Sequence, residues 1–132
     1  MENANSNALI IAHRGAVDQF NEHTIEGYEQ SIKDGANWIE IDIRMTSDGV
    51  LVPMHDLDIN RTTTGTGTVN DLTWEQLSKF KTENNNYNAP IPSLEEVFLK
   101  FGKKTHYYIE IKTVDGQQLV EKKLILLLKK YL

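Results

Sequence analysis

The apolar and polar positions of this chain fall into a few distinct periods. Between Trp38 and Arg44 the residues Ile39, Ile41 and Ile43 alternate strictly with Trp38, Glu40, Asp42 and Arg44. A period of two predicts a β-strand with one apolar face and one face carrying two carboxylates. Glu40 and Asp42 then point the same way, ~6.6 Å apart along the strand, and repel unless something positive lies between them. A hard divalent cation bound through oxygen is one answer. A half-exposed strand with its polar face in water is the other.

Upstream, Leu9-Ile10-Ile11-Ala12 is a continuous apolar run, which predicts a strand buried on both faces, ending at His13-Arg14-Gly15. Thr24 is a suitable N-cap for a helix whose stripe is Ile25, Tyr28 and Ile32 and whose stop is Gly35. The span from Leu9 to Trp38 matches the ~30 residues of one strand–helix–strand unit.

Downstream, Val50 to Pro53 reads as a short strand leading to His55-Asp56, and Arg61 to Val69 as a Thr/Gly-rich loop without the lysine of a P-loop. Asp71 to Leu77 predicts a short helix capped by Thr73. Glu83 to Asn88 predicts a polar loop, and Ser93-Leu94-Glu95-Glu96 a capping box opening a helix to about Lys100. Alternation returns at Tyr108 to Lys112, with Tyr108, Glu110 and Lys112 on one face. The distance from Trp38 to this strand exceeds two such units, so an inserted segment containing His55 is expected. Gln117 to Leu132 predicts an amphipathic helix with Val120, Leu124, Leu127, Leu128 and Tyr131 along its stripe, packed on the sheet rather than on a membrane.

Three strands separated by helical patterns indicate a parallel α/β architecture, in which chemistry gathers where strands end. His13, Glu40, Asp42, Glu110 and Lys112 fall at or near those ends. Carboxylates there suit a divalent ion, Arg14 and Lys112 suit phosphate oxygens, and His13 and His55 suit proton transfer, the pattern of metal-assisted phosphoryl chemistry. His23 and His106 stand outside this group and read as surface or packing residues.

Composition narrows the picture further. At 132 residues and 39% hydrophobic, the chain is at most one ordinary domain with enough apolar content for a core. A net charge of −5 argues against nucleic-acid binding. There is no cysteine, so thiolate metal sites are excluded. Met1 to Asn7 lacks the features of a signal peptide, and the longest apolar run, Leu124 to Leu128, is too short to span a bilayer. A cytoplasmic protein is expected, or a secreted one if a leader has been removed.

The ordered set His13-Arg14-Gly15, Glu22-His23-Thr24, Glu40-x-Asp42, His55-Asp56, Arg61-Thr62-Thr63, Gly65-x-Gly67 and Glu110-Ile111-Lys112 resembles the glycerophosphodiester phosphodiesterase family. The resemblance implies a TIM-type (β/α) barrel with a small insertion after its second strand. It implies hydrolysis of glycerophosphodiesters to glycerol 3-phosphate and an alcohol. It further implies Glu40, Asp42 and Glu110 as ligands of Mg²⁺ or Ca²⁺, His13 and His55 as the acid–base pair, Arg14 and Lys112 as phosphate-binding, and Glu22 as an accessory residue close by. One departure is local, since the family usually reads Pro-Glu-Asn-Thr where this chain has Asn21-Glu22-His23-Thr24.

The other departure is length. A TIM barrel needs eight strands and typically ~250 residues, whereas about three barrel strands are legible here. The chain is therefore expected to be the N-terminal portion of such a barrel, a single partial domain over 1–132 with its insertion at about 46–105. It is also expected to be weakly active or inactive alone, and to self-associate through an open barrel edge. Two alternatives stand beside this reading, a related barrel phospholipase (phosphatidylinositol-specific or sphingomyelinase D-like) and a non-catalytic binding or assembly fragment. The Arg61-Thr62-Thr63 loop and the Glu110-Ile111-Lys112 triplet favour the first reading over the phospholipases.

Overall fold

The structure, a computed structural model, describes residues 8–83, 88–117 and 119–132. The polar opening Met1 to Asn7 and most of the predicted Glu83–Asn88 loop lie outside the described residues.

The alternating stretch forms the central strand, β2 (Trp38–Met45). The upstream strand, β1 (Ile11–His13), pairs with it in parallel, from Ile11 opposite Trp38 to His13 opposite Glu40. The first helix, α1 (Ile25–Lys33), joins them, and the Thr24 side chain accepts from the Gly27 N–H as predicted. Beyond β2 the chain turns back as β3 (Leu51–Pro53), antiparallel to the far end of β2. Helix α2 (Trp74–Ser78) is capped by Thr73 in a capping box with Gln76 and is followed by the short hairpin β4 (Lys81–Thr82) and β5 (Ala89–Pro90). Helix α3 (Leu94–Phe101) opens with the Ser93–Glu96 capping box and leads into β6 (His106–Ile111). This strand pairs in parallel with the other side of β2, from His106 opposite Trp38 to Ile111 opposite Ile43. Helix α4 (Val120–Tyr131) ends the described chain.

Ile39, Ile41 and Ile43 are fully buried against Tyr28 of α1, Leu94, Val97, Phe98 and Phe101 of α3, and Val120 and Leu124 of α4. Each such side chain contributes ~1.5–3 kcal/mol on burial. Residues after β2 build a second, smaller core from Val52, Met54, Ile59, Val69, Leu77 and Ile91. The segment from β3 to β5 therefore packs around its own small core, while α3 belongs to the main core.

Two expectations are corrected and one open alternative is decided. Leu9 to Ala12 is not a strand buried on both faces, because Leu9, Ile10 and Ile11 are exposed. Among the described residues β1 pairs with β2 alone, so its outer side has no neighbour. The carboxylate face of β2 does not lie in water, since Glu40 is only 6% and Asp42 only 1% exposed. Finally, α4 starts at Val120 rather than Gln117. Leu119 adopts a left-handed φ of 73°, and the Gln117 side chain instead donates to the Met45 carbonyl at 2.7 Å.

Candidate active site

The loop after β1 folds tightly against the first turn of α1, and glycine makes that approach feasible. Gly15 has φ 91°, and a Cβ there would lie 3.0 Å from the backbone carbon of Gly27. Ala16 N–H donates to Gly27 O, and His23 N–H to Arg14 O, each at 3.0 Å. Arg14 (φ 63°) and His23 (φ 54°) are both left-handed without being glycine. Such positions cost on the order of 1–3 kcal/mol each and persist where the surroundings hold them. Here both side chains are turned onto one carboxylate, with Arg14 Nε 3.6 Å and His23 Nε2 3.0 Å from Asp42 Oδ2.

Glu40 lies next to Asp42 on the same strand face. Its Oε2 accepts from the Arg14 N–H at 3.2 Å and lies 3.9 Å from His13 Nε2. Burial first, then the hydrogen bond with Asp42 and the charge of Asp42, push the Glu40 carboxyl up to about 7. Burial is the largest influence on Asp42 and opposes its ionisation, but the hydrogen bonds with His23, Glu40 and Glu110 and the His23 charge together outweigh it and hold that carboxyl well below its ordinary value. Burial pushes the His23 imidazole down, which favours its neutral form. His23, Glu40 and Asp42 each offer a ligand atom within 4.8 Å of the others. A buried pair of adjacent carboxylates, one of them raised by burial and by the other, is the chemistry a hard, oxygen-binding cation satisfies, so these residues fit one.

Glu110 sits directly opposite Asp42 in the β2–β6 register. Its side chain is 53% exposed and bonded to Lys112 Nζ at 2.8 Å, so the tight cluster contains His23 and not Glu110. His13 projects into solvent, 70% exposed, above Glu40.

His55 reaches this edge by a different route. Met54 N–H donates to Asp42 O at 2.9 Å, which keeps the chain beside β2 after β3 ends. Arg44 then clamps the His55 carbonyl through Nε at 3.1 Å and Nη2 at 2.7 Å. The His55 ring is held through Nδ1, 2.7 Å from Asp56 Oδ1. Arg61 binds Asp56 Oδ2 through Nε at 2.8 Å and Glu22 Oε1 through Nη2 at 2.9 Å. Arg14 Nη1 also reaches Glu22, at 3.4 Å. The Arg61 hydrogen bond, with that of His55 after it, holds the Asp56 carboxyl far below its ordinary value. Asp56 is thus a fixed anion that orients the imidazole. A second tie runs from Asn21 Nδ2 to Thr82 Oγ1 at 3.0 Å, joining the α1 loop to the β4–β5 hairpin.

The structure therefore gathers His13, Arg14, Glu22, Glu40, Asp42, His55, Glu110 and Lys112 along the edge where β1 and β6 end. His106 stacks on Trp38 at the opposite end of the sheet, ring centroids 4.8 Å apart, a packing role as expected. His23 is the residue that sequence reasoning missed. Its position just before the Thr24 cap suggested a surface residue, and only the left-handed turn carries it inward.

Residues 13–131 match the glycerophosphoryl diester phosphodiesterase family. The chain belongs to that family. It is 41% identical to a glycerophosphodiester phosphodiesterase of Bacillus subtilis, covering 93% of this chain and 46% of that protein. It is 38% identical to one from Caldanaerobacter subterraneus, covering 93% and 53%. The crystal structure of glycerophosphodiester phosphodiesterase from Agrobacterium tumefaciens superposes with a TM-score of 0.84 at 28% identity, over 94% of this chain and 53% of that one. An Oleispira antarctica phosphodiesterase, solved in complex with its product sn-glycerol-3-phosphate, superposes with a TM-score of 0.79 at 27% identity, over 94% and 53%. As a member of the glycerophosphoryl diester phosphodiesterase family, the chain has the fold of the N-terminal portion of a TIM-type barrel. It spans about half the length of the curated relatives it matches.

Proposed function

We propose that this chain carries the cation-binding and acid–base part of a metal-dependent hydrolase that converts glycerophosphodiesters to glycerol 3-phosphate and an alcohol. The observation that carries the reading is the buried Glu40–Asp42 pair, with His13 3.9 Å from Glu40 and the Asp56-held His55 on the chain that follows Met54, whose N–H donates to the Asp42 carbonyl.

Glu40 and Asp42, with Glu110 alongside, would hold Mg²⁺ or Ca²⁺, which supplies charge neutralisation and polarisation of the phosphoryl oxygens. Arg14 is the phosphate-binding group nearest the carboxylates, and Lys112 is the second once it exchanges Glu110 for phosphate. One histidine accepts the proton of the glycerol 2-hydroxyl as its oxygen attacks phosphorus. The other donates a proton to the departing alcohol oxygen as that P–O bond breaks. A water then opens the cyclic phosphate with the proton transfers reversed, leaving glycerol 3-phosphate. His55 suits either role because Asp56 engages Nδ1 and leaves Nε2 for the substrate.

A self-association reading has its own support. β1 and β6 each pair only with β2 among the described residues, and Leu9, Ile10, Ile11, Ile125 and Leu126 are exposed. Edges of this kind invite a second copy.

Release of glycerol 3-phosphate from glycerophosphocholine, measured with Mg²⁺, Ca²⁺ or EDTA alongside the mass in solution, tests both readings. Cation-dependent release supports the hydrolase, and release unchanged in EDTA removes the metal from the mechanism. A strictly monomeric, fully active chain refutes the need for association.

A further inference from the structure

The His23 ring bridges two buried groups with different needs. Nδ1 is hydrogen-bonded to Tyr28 Oη, and Nε2 lies 3.0 Å from Asp42 Oδ2. Tyr28 is completely buried in the main core, its ring edge-on to Phe101 with centroids 6.4 Å apart. A buried phenol that kept its proton unpaired would carry the full desolvation cost of an unsatisfied donor. Its O–H therefore donates to Nδ1, which can accept only if Nδ1 is unprotonated. That leaves the proton of a neutral imidazole on Nε2, pointing at an ionised carboxylate oxygen. Every donor in the chain from Tyr28 through His23 to Asp42 then has an acceptor. The opposite tautomer places a lone pair against the Asp42 carboxylate and leaves the Tyr28 proton without a partner.

We propose that Tyr28 and His23 form a buried relay that fixes the Nε2–H tautomer of His23 and thereby positions Asp42 for a divalent cation, His23 being a positioning residue and not itself a ligand. The proposal rests on the cation-binding reading above. It gives His23 a task in a cluster whose spacing alone would equally admit a histidine ligand. It also gives a reason for the left-handed turn at His23, the conformation in which the ring lies between Tyr28 and Asp42. Partners behind a metal-bound carboxylate or imidazole fix its orientation, and their loss weakens metal affinity about 10- to 100-fold. Because Tyr28 is anchored on α1 and against Phe101 of α3, the relay ties the site to the packing of the main core.

The test has three independent readouts on the 132-residue chain. Long-range ¹H–¹⁵N spectra of the metal-free protein report the tautomer, and the Nε2–H form of His23 is expected; the Nδ1–H form overturns the relay whatever the metal does. Calorimetry with Mn²⁺ then compares the wild type with Tyr28→Phe, a change that removes one oxygen and little volume. Binding about 10- to 100-fold weaker is expected. Equal affinity in the two proteins overturns the relay alone, whereas a wild type that binds no cation overturns it together with the reading beneath it. His23→Asn keeps a donor beside Asp42 and suits a positive φ, so it is expected to bind more tightly than His23→Ala; equal loss in both overturns positioning by hydrogen bond. Pulsed EPR of the Mn²⁺-loaded chain should lack the coupling of a directly bound imidazole nitrogen. A coupling that disappears in His23→Asn makes His23 a ligand and overturns the proposal.

Discussion

Replacing Glu40 with glutamine should make the metal-free protein more stable at alkaline pH and leave it little changed at acid pH. Burial first and Asp42 second raise the Glu40 carboxyl from its ordinary 4.5 to about 7. Between those values the folded chain binds a proton that the unfolded chain has released, so unfolding free energy falls as pH rises. The contribution is fully present below about 4.5 and lost once pH has passed about 7. Across that interval it amounts to on the order of 3 kcal/mol. Glutamine can accept the Arg14 N–H bond and has no proton to lose. The wild type should therefore lose on the order of 2 kcal/mol, relative to Glu40→Gln, between about pH 5 and pH 8.

The comparison must be variant minus wild type, because His23 slopes the other way. Its imidazole is depressed by burial, so its contribution rises with pH up to its ordinary value of 6.5, in both proteins. Asp42, Asp56 and Glu22 are also depressed, and what they contribute is lost only as pH falls below the ordinary carboxylate range, outside the window. Urea unfolding in EDTA, followed by the fluorescence of Trp38 and Trp74, reads the difference. Added Mg²⁺ should reverse it at pH 8, since a ligand that binds only the folded wild type stabilises only the wild type. A stability difference that stays constant from pH 5 to pH 8 would refute the reasoning.

Three further outcomes are expected. His13→Ala and His55→Ala should each lower turnover of glycerophosphocholine by ~10²- to 10⁴-fold while cation affinity by calorimetry stays near wild type; full turnover in either removes that residue from the acid–base pair. Asp56→Asn should cost turnover by ~10²-fold, mostly in kcat, because it loosens the His55 ring and frees Arg61, and a change confined to KM would argue against orientation of the imidazole. Gly15→Ala should destabilise by ~1–3 kcal/mol, seen as a lower thermal midpoint, since the new Cβ meets the Gly27 backbone at 3.0 Å and the backbone must hold φ 91°; an unchanged midpoint would mean the loop relaxes freely.

The sequence by itself determined most of the elements and which face of each strand carries the polar side chains. Alternation at Trp38 to Arg44 and again at Tyr108 to Lys112 specified two strands, because a period of two puts every second side chain on one face. Thr24, Thr73 and Ser93 marked helix starts, because an N-cap oxygen satisfies donors the helix cannot. The placing of His13 and Glu110 near the ends of their strands, and of Glu40 and Asp42 on one face of β2, followed from those elements. Tertiary structure decided what local pattern cannot carry. Solvent access of Leu9 to Ile11 depended on whether a neighbour lies beyond β1, and burial of Glu40 and Asp42 on the loop that folds over them. Arg61 reached Glu22, 39 residues away in sequence, only because the segment after β3 folds back over the loop before α1. His23 turned from a surface position into the partner of Asp42 through a single left-handed φ, a conformation with no signature in the periodicity of a chain.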